Sequence, residues 1–278
     1  MRSAVESSTV LVLGAGGKTG SRVVERLTDR GRDVRAASRS GDTRFDWQRP
    51  DGWPDVVRGV DAVYVTYQPE LAFPEAAAQV AAFAATAVAA GVRRLVLVSG
   101  RGEEGARRAE QEVIGSGAEW TIVRCSFFAQ NFSEGLFQPA ILRGALPLPC
   151  PDRAEPFIDV DDIADVAVAA LTDEHHAGRL YEVTGPRPVT FTEAVAEISR
   201  AAGIRVECRP GEPAVFHRYL LGEGLPDDDA AGLSELFGAV LDGRNAHVND
   251  GVQEALGRPP RDFTDYVTAA AAAGAWRH

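Results

Sequence analysis

The sequence has a single lysine. Lys18 stands against 28 arginines, and it lies within the glycine-rich segment Gly14-Ala-Gly-Gly-Lys-Thr-Gly20. Because no second lysine exists, any mechanism that requires a Tyr-x-x-x-Lys pair is excluded. A lone cation at a turn from strand to helix indicates a bound anion, since the backbone N–H groups and dipole of a helix N-terminus favour negative charge.

Cysteine and long apolar runs are also scarce. The three cysteines, Cys125, Cys150 and Cys208, form no Cys-x-x-Cys motif and leave at least one thiol unpaired, which suits a reducing compartment. No segment approaches about 18 consecutive apolar residues, so no membrane span is expected. The N-terminus lacks the apolar core of a signal peptide, so we expect a cytoplasmic protein.

The net charge of the chain limits the classes of partner that we expect it to bind. A net charge of −11 argues against nucleic acid or an anionic membrane surface as the main partner. Histidines and cysteines form no cluster with metal-ligand spacing, so no metal site is predicted. We therefore expect a small-molecule partner, and the sequence leaves open whether the protein is a monomer or a dimer.

Short apolar strands alternate with helical segments up to residue 124. Strands are predicted at 9–13, 33–37, 45–47, 62–66, 94–98 and 120–124, with helices at 19–29, 75–90 and 106–114. This alternation predicts βαβ units and a doubly wound parallel sheet with helices on both faces, which is the α/β class.

The alternation ends after residue 124. Five prolines between 139 and 157 predict a long surface connection. Helices are predicted at 158–171 and 192–202 and strands at 180–183 and 204–207, with only helical segments after residue 213. We predict a nucleotide-binding domain at 1–156, whose loop 125–156 contributes to a substrate pocket. A smaller, mostly helical substrate region at 157–278 is partly interleaved with it.

The glycine loop has the spacing of a dinucleotide-binding turn. Gly14, Gly17 and Gly20 follow a predicted strand and open a helix, which is the context that this motif needs. A P-loop would need glycine at position 12, where valine stands, so a nucleoside triphosphatase is excluded. Lys18 and Thr19 complete the candidate phosphate site.

The end of the second strand indicates which dinucleotide binds. Sites for NAD place an acid there to bind the ribose 2′-OH, whereas this chain has Ser38-Arg39-Ser40. A guanidinium and a hydroxyl suit a 2′-phosphate, so NADPH is predicted. Asp46 and Trp47 stand at the end of the predicted third strand and are candidate cofactor contacts, although Asp46 could either accept from the adenine amino group or simply form a turn.

Hydroxyl groups stand at the ends of the fourth and fifth strands, the edge at which open α/β sheets bind ligands. Thr66 and Tyr67 end one strand and Ser99 ends the other. All three are candidate cofactor contacts. Tyr67 and Ser99 are also candidate catalytic residues beside the nicotinamide, although Tyr67 could serve packing alone and the site could lack a dedicated acid.

The segment after the sixth strand supplies candidates for a pocket wall. Cys125 is a candidate cofactor contact, and a nucleophilic role is disfavoured because no base is near it in sequence. Phe128, Asn131 and Phe132 are candidate substrate contacts, with Asn131 suited to orient a carbonyl, although some of the aromatic rings must cover the sheet. His217 is a further candidate for the substrate, against the alternative of a surface histidine.

Several of these segments together resemble the NmrA-like atypical short-chain dehydrogenase/reductases, closest in pattern to the ergot-alkaloid, agroclavine dehydrogenase-like branch. The resemblance extends over residues 9–270. It rests on the glycine loop with its lysine, Ser-Arg-Ser, Phe-Asp-Trp, Trp-Thr-Ile-Val-Arg before Phe-Phe-x-x-Asn-Phe, and the segments at 157–165 and 257–263.

The resemblance implies a Rossmann domain with a small C-terminal substrate domain. Members of the family include quinone, imine and ketone reductases and also regulators that bind NADP without turnover. Some members carry a tyrosine or histidine and a lysine upstream of the glutamate that matches Glu110, whereas this chain has Ala106-Arg-Arg-Ala. Some antibiotic-pathway and alkaloid-pathway reductases of the family also lack this pair.

The sequence therefore favours an NADPH-dependent reductase that transfers hydride to a ketone or imine of a polyketide- or alkaloid-type secondary metabolite. A non-catalytic NADP sensor and a short-chain-type isomerase or dehydratase are the alternatives. A reductase needs an apolar pocket beside the nicotinamide, whereas a sensor needs an exposed surface for a partner protein.

Overall fold

A seven-stranded parallel sheet organises the chain, whose residues 8–149 and 151–277 are described by this computed structural model. The strand order is β3-β2-β1-β4-β5-β6-β9. The strands are β1 (Thr9–Leu13), β2 (Asp33–Ser38), β3 (Thr43–Arg44), β4 (Ala62–Val65), β5 (Arg94–Gly100), β6 (Glu119–Cys125) and β9 (Arg179–Val183). The predicted doubly wound α/β fold is confirmed.

Helices cover both faces of this sheet. One face holds α2 (Trp53–Val57), α3 (Ala76–Ala89) and α4 (Glu104–Ile114), and the other holds α1 (Lys18–Asp29), α6 (Val160–Thr172) and α10 (Gly251–Leu256). Both layers bury apolar side chains against the sheet. Because α6 and β9 return to the sheet, the C-terminal half of the chain is interleaved with the first. Cys150 and the outer ends of the two predicted domains lie outside the described residues.

The third strand lies earlier than predicted. The strand covers only Thr43–Arg44, and Phe45 and Trp47 leave it to join an aromatic cluster with Trp53. The ring centroids are 5.1 Å apart for Phe45 and Trp47 and 5.7 Å apart for Trp47 and Trp53. Burial of these rings therefore prevails over a longer strand, and α2, which the sequence did not predict, supplies Trp53.

The prediction of a surface connection at 139–157 is wrong. This segment contains α5 (Gln138–Leu142), β7 (Ala145–Leu148) and β8 (Ala154–Glu155). Strand β7 pairs in parallel with β11 (Glu207–Pro210), and β8 pairs with β10 (Val189–Thr190). Pro147 stands in β7, a strand of a two-stranded sheet, where a missing N–H is tolerated, and Pro139 stands in the first turn of α5, where the N–H is not needed. Pairing with β7 also explains why the strand predicted at 204–207 forms at 207–210.

The remaining helices form a cap above the carboxyl edge of the sheet. They are α7 (Phe191–Ala202), α8 (Pro213–Gly222), α9 (Asp227–Val240) and α11 (Phe263–Ala272). Rings from separated segments form the core of the cap, among them Phe132, Phe137, Phe157, Phe191 and Phe237. Within the described ranges, no helix is both long and apolar enough to cross a membrane.

We predict that Gly20→Ala destabilises the protein while Gly16→Ala does not. A Cβ at Gly20 would lie 2.2 Å from the carbonyl oxygen of Gly14, whereas a Cβ at Gly16 would have no neighbour within 4 Å. Overpacking against backbone typically costs about 1–3 kcal/mol, and here it opposes the helix propensity gained with alanine. Urea unfolding measures both variants, and equal free energies of unfolding would contradict the close approach.

Candidate active site

The glycine loop brings the N-terminus of α1 to the carboxyl edge of the sheet. Gly14 has a φ of 63°, a left-handed conformation that favours glycine, and its carbonyl oxygen accepts from Gly17 N–H at 2.8 Å. The N–H of Ala15 donates to the carbonyl of Ala37 at 3.1 Å, which ties the loop to β2. The first N–H groups of α1 are therefore held where parallel strands end, a site suited to a phosphate.

A cavity of about 760 Å³ extends from the glycine loop over the end of β2. Ser38, Arg39, Asp46 and Trp47 all line it, as predicted for cofactor contacts. The Arg39 side chain is exposed and forms no ion pair within residues 8–149 and 151–277. The Asp46 carboxylate accepts from Gln48 N–H at 2.9 Å, so it forms a turn at the same time. This cavity can hold the adenosine half of a dinucleotide that carries a 2′-phosphate.

Trp47 forms part of the floor of this cavity and also packs in the aromatic cluster. Its side chain is 6 % exposed, and its Nε1–H donates to the carbonyl of Thr66 at 3.2 Å. The indole thereby ties the third strand region to the end of β4. Its position in the aromatic cluster makes packing its main role.

A second cavity, of about 420 Å³, lies further along the sheet edge and shares Gly14, Gly17 and Thr66 with the first. The predicted residues that line it are Lys18, Thr19, Tyr67, Ser99, Cys125, Phe128 and Asn131. Its outer wall is apolar and comes from α9 and the residue that follows it: Leu233, Leu236, Phe237, Val240 and Leu241. A groove that can hold a cofactor therefore leads into a pocket with an apolar wall.

Lys18 lines the second cavity and follows Gly17, which lines both cavities. Burial lowers the pKa of its ammonium group, and the nearby Glu134 opposes this effect. Glu134 instead pairs with Arg22 at 2.6 Å, and Lys18 forms no ion pair in the part of the chain that the structure describes. A Cβ at Gly135 would lie 2.7 Å from Lys18 Nζ, so glycine leaves space for the lysine. Lys18 is thus available to a cofactor phosphate.

Ser99 belongs to a buried polar network. Its hydroxyl donates to Glu110 Oε1 at 2.6 Å, and Glu110 is fully buried. Arg124 holds the same carboxylate at 2.9 and 2.5 Å and reaches Glu182 at 2.6 Å. Ser99 faces the cavity, but its proton is committed to Glu110.

The hydroxyl of Tyr67 is also engaged. It donates to Gln79 Oε1 at 2.8 Å, and the ring packs 4.9 Å from the ring of Trp47. Burial, reinforced by the charge of Glu75, raises the pKa of Tyr67 to about 12. Both predicted catalytic hydroxyls therefore lie at the cavity, yet neither is free to act as a strong acid.

Two of the four predicted substrate contacts lie elsewhere. Phe128 and Asn131 line the second cavity, but Phe132 is fully buried in the core of the cap. His217 lies on α8 with its Nε2 3.1 Å from Asp227 Oδ1, and it lines neither cavity. Cys125 lines the cavity, and burial raises the pKa of its thiol well above the usual value, which opposes a nucleophilic role.

Sequence reasoning missed four charged residues at the second cavity: Glu70, Arg101, Glu103 and Glu155. Glu70 and Glu103 follow β4 and β5 at the same edge as Tyr67 and Ser99, so the rule that found those hydroxyls could also have found them. Burial raises the pKa of Glu155 to about 7, although Arg101 opposes the shift. No signal in the sequence placed Glu155 or the apolar wall of α9 at the cavity.

Comparison with known proteins identifies the nucleotide-binding part. Residues 14–174 match a family model described as NAD(P)H-binding. The chain belongs to this NAD(P)H-binding family. The match covers the glycine loop, the ends of β2 and β4 and the network around Ser99, so the prediction of a nicotinamide cofactor is confirmed. Gly14, Lys18 and Arg39 stay the predicted contacts to the phosphates of such a cofactor.

Two relatives and one solved structure extend over nearly the whole chain. A (4-alkanoyl-5-oxo-2,5-dihydrofuran-3-yl)methyl phosphate reductase of Streptomyces griseus is 33% identical, with 92% of this chain and 96% of the relative covered. Agroclavine dehydrogenase of Claviceps fusiformis is 28% identical, with coverage of 94% and 96%. The predicted resemblance to NmrA-like reductases is thus confirmed.

The solved structure is a triphenylmethane reductase of Citrobacter sp. in complex with NADP(H). It superposes with a TM-score of 0.74 at 19% identity and covers 94% of this chain and 99% of its own. At this identity the likeness concerns the fold.

Proposed function

We propose that this protein is an NADPH-dependent reductase of a ketone or imine in a secondary metabolite of polyketide or alkaloid type. The observation that carries this proposal is the continuity of the two cavities, in which the glycine loop and the apolar wall of α9 border one groove. The names of the relatives, a reductase and a dehydrogenase of an alkaloid, support the same class of reaction.

The residues of the first cavity support NADPH over NADH. Arg39 is exposed, lacks an ion pair within the described ranges and stands beside Ser38 at the end of β2. A carboxylate at this position would repel a 2′-phosphate, whereas a guanidinium can bind it with two parallel hydrogen bonds. When bound, the cofactor supplies a hydride from its nicotinamide.

The second cavity supports a catalytic role over a sensor. Four apolar side chains of α9, together with Leu241, line the space beside Ser99, where a small apolar substrate can lie. Large apolar side chains are exposed at only three positions of the described chain: Val215, Leu221 and Val248. These three positions offer little apolar area for a partner protein.

The proposal is tested by following NADPH oxidation with a panel of acceptors. The panel contains menadione, 2-tetralone, 3,4-dihydroisoquinoline and N-methyl-3,4-dihydroisoquinolinium, which represent quinone, ketone, imine and permanently charged iminium. We expect turnover of a ketone or imine member that depends on the protein. Tight NADPH binding without oxidation by any member would favour the sensor and contradict the proposal.

We predict that Arg39→Ala weakens NADPH binding about 10- to 100-fold and leaves NADH binding nearly unchanged, since a charged hydrogen bond contributes about 1.5–3 kcal/mol. Arg49→Ala is the matched control, because Arg49 is an exposed arginine outside both cavities. Isothermal titration of both cofactors measures the effect, and equal losses for NADPH and NADH would contradict the assignment.

We predict that Ser99→Ala and Tyr67→Phe each reduce kcat less than about tenfold, well below the value of a general acid. The reason is that both hydroxyls donate to other residues, Ser99 to Glu110 and Tyr67 to Gln79. Asn131→Leu should have a larger effect because it fills the pocket and displaces the substrate. Steady-state rates on the best acceptor measure these effects. A loss of kcat above about a thousandfold in either hydroxyl variant would identify the replaced hydroxyl as the acid.

A further inference from the structure

Two carboxyl groups, those of Glu70 and Glu103, line the second cavity together with Ser99. Glu70 lies in the loop after β4, and Glu103 lies in the loop after β5, so adjacent strands deliver both to one edge of the sheet. Neither residue takes part in an ion pair within the described ranges.

Close backbone packing joins these two loops. A Cβ at Gly105 would lie 2.0 Å from the carbonyl oxygen of Ala72, so the start of α4 rests directly on the loop of Glu70. Glu70 Oε1 in turn accepts from Ala72 N–H at 3.3 Å. The carboxyl of Glu103 folds over Gly100, where a Cβ would lie 2.2 Å from one of its oxygens. Glu103 is therefore held beside the residue that follows Ser99.

The carboxyl of Glu103 has no internal role that would explain its burial. Glu103 occupies the N-cap position of α4, yet its side chain caps no backbone N–H. Among the residues that the structure describes, its Oε2 is buried without a hydrogen-bond partner. Arg101, which lines the same cavity, binds Asn245 and His247, and Arg124 binds Glu110 and Glu182. An unpartnered charge at this position is costly, so the neutral acid is favoured.

The charge state follows from these surroundings. Burial raises the pKa of Glu103 well above its usual value, and the negative charges of Glu70 and Glu110 raise it further. Burial also raises the pKa of Glu70, against two backbone hydrogen bonds that lower it. Because the charge of Glu70 disfavours ionisation of Glu103, at least one of the two carboxyls stays protonated in conditions where an exposed glutamate is ionised.

We propose that Glu103, supported by Glu70, is the proton donor of the reductase and acts on the carbonyl oxygen of its substrate. This proposal rests on the proposed function. As the carbonyl carbon receives hydride from NADPH, the O–H bond of Glu103 breaks and its proton passes to the oxygen. The electron pair of the C=O π bond becomes the new O–H bond. Glu103 is left as a carboxylate and regains a proton from water, directly or through Glu70.

A proton donor at this position would let the site work without a Tyr-x-x-x-Lys pair. The hydroxyls of Ser99 and Tyr67 are committed, whereas the Glu103 carboxyl has a buried oxygen with no partner and lines the cavity. A general acid of raised pKa is suited to proton transfer near neutral pH and typically contributes about 10²–10⁴-fold. A substrate with a permanently charged iminium needs no such proton.

The free protein provides the first test, by ¹³C NMR of the glutamate carboxyl carbons across a pH titration. We expect Glu103 to titrate well above an exposed glutamate and its pKa to fall in Glu70→Gln, because a neighbouring negative charge is removed. Glu104→Gln is the matched control, since Glu104 is the exposed neighbour of Glu103 on α4. Glu110 and Cys125, the other titratable groups whose charges interact with Glu103, are unchanged in both variants. A Glu103 that titrates as an ordinary glutamate would overturn the proposal.

The second test separates proton donation from hydride acceptance. We expect Glu103→Gln to reduce kcat on 2-tetralone at least a hundredfold and on N-methyl-3,4-dihydroisoquinolinium less than about threefold. Glu104→Gln should change neither rate. Equal losses on both substrates would overturn the donor role. If wild-type protein reduces none of the acceptors, the proposed function fails and the donor role with it, while the titration still reports whether the two acids share a proton.

Discussion

The close approach of α1 to β1 is the constraint on which the site depends. Because Gly20 lies against the carbonyl oxygen of Gly14, the N-terminus of α1 points at the edge where the parallel strands end. The lining residues that end or follow the strands, from Arg39 to Ser99, arrive at this same edge by strand order. The position of the site therefore follows from the sheet topology, and its chemistry follows from the side chains at the strand ends.

The cap supplies the outer wall of the pocket that lies at the carboxyl edge of the sheet. Its core is built of aromatic rings from segments far apart in sequence, and that core holds α9 across the strand ends. The result is a pocket that is apolar on its outer wall and acidic on its inner wall, where Glu70, Glu103 and Glu155 lie. Burial disfavours the ionised form of these acids, so in the proposed reaction the pocket that admits an apolar substrate would also keep a proton near the reacting atoms.

The parts of the site that depend on local pattern could be predicted from the sequence. The glycine loop, the Ser38–Arg39 end of β2 and the hydroxyls of Tyr67 and Ser99 all follow from strand periodicity and one topological rule. The parts that depend on distant packing could not. Phe132 joins the core of the cap because rings from four other segments surround it, and β7 forms because β11 pairs with it. The folded-back conformation of Glu103 likewise depends on Gly100 and on the Ala72 loop.

A crystal structure of the complex with NADPH tests the central claim most directly, because the claim is that one groove joins the cofactor site to the reaction pocket. We expect the 2′-phosphate at Arg39, the pyrophosphate at the glycine loop and Lys18, and the nicotinamide ring in the cavity beside Ser99 and Glu103. A nicotinamide ring directed away from that cavity, with the adenosine half in place, would contradict it.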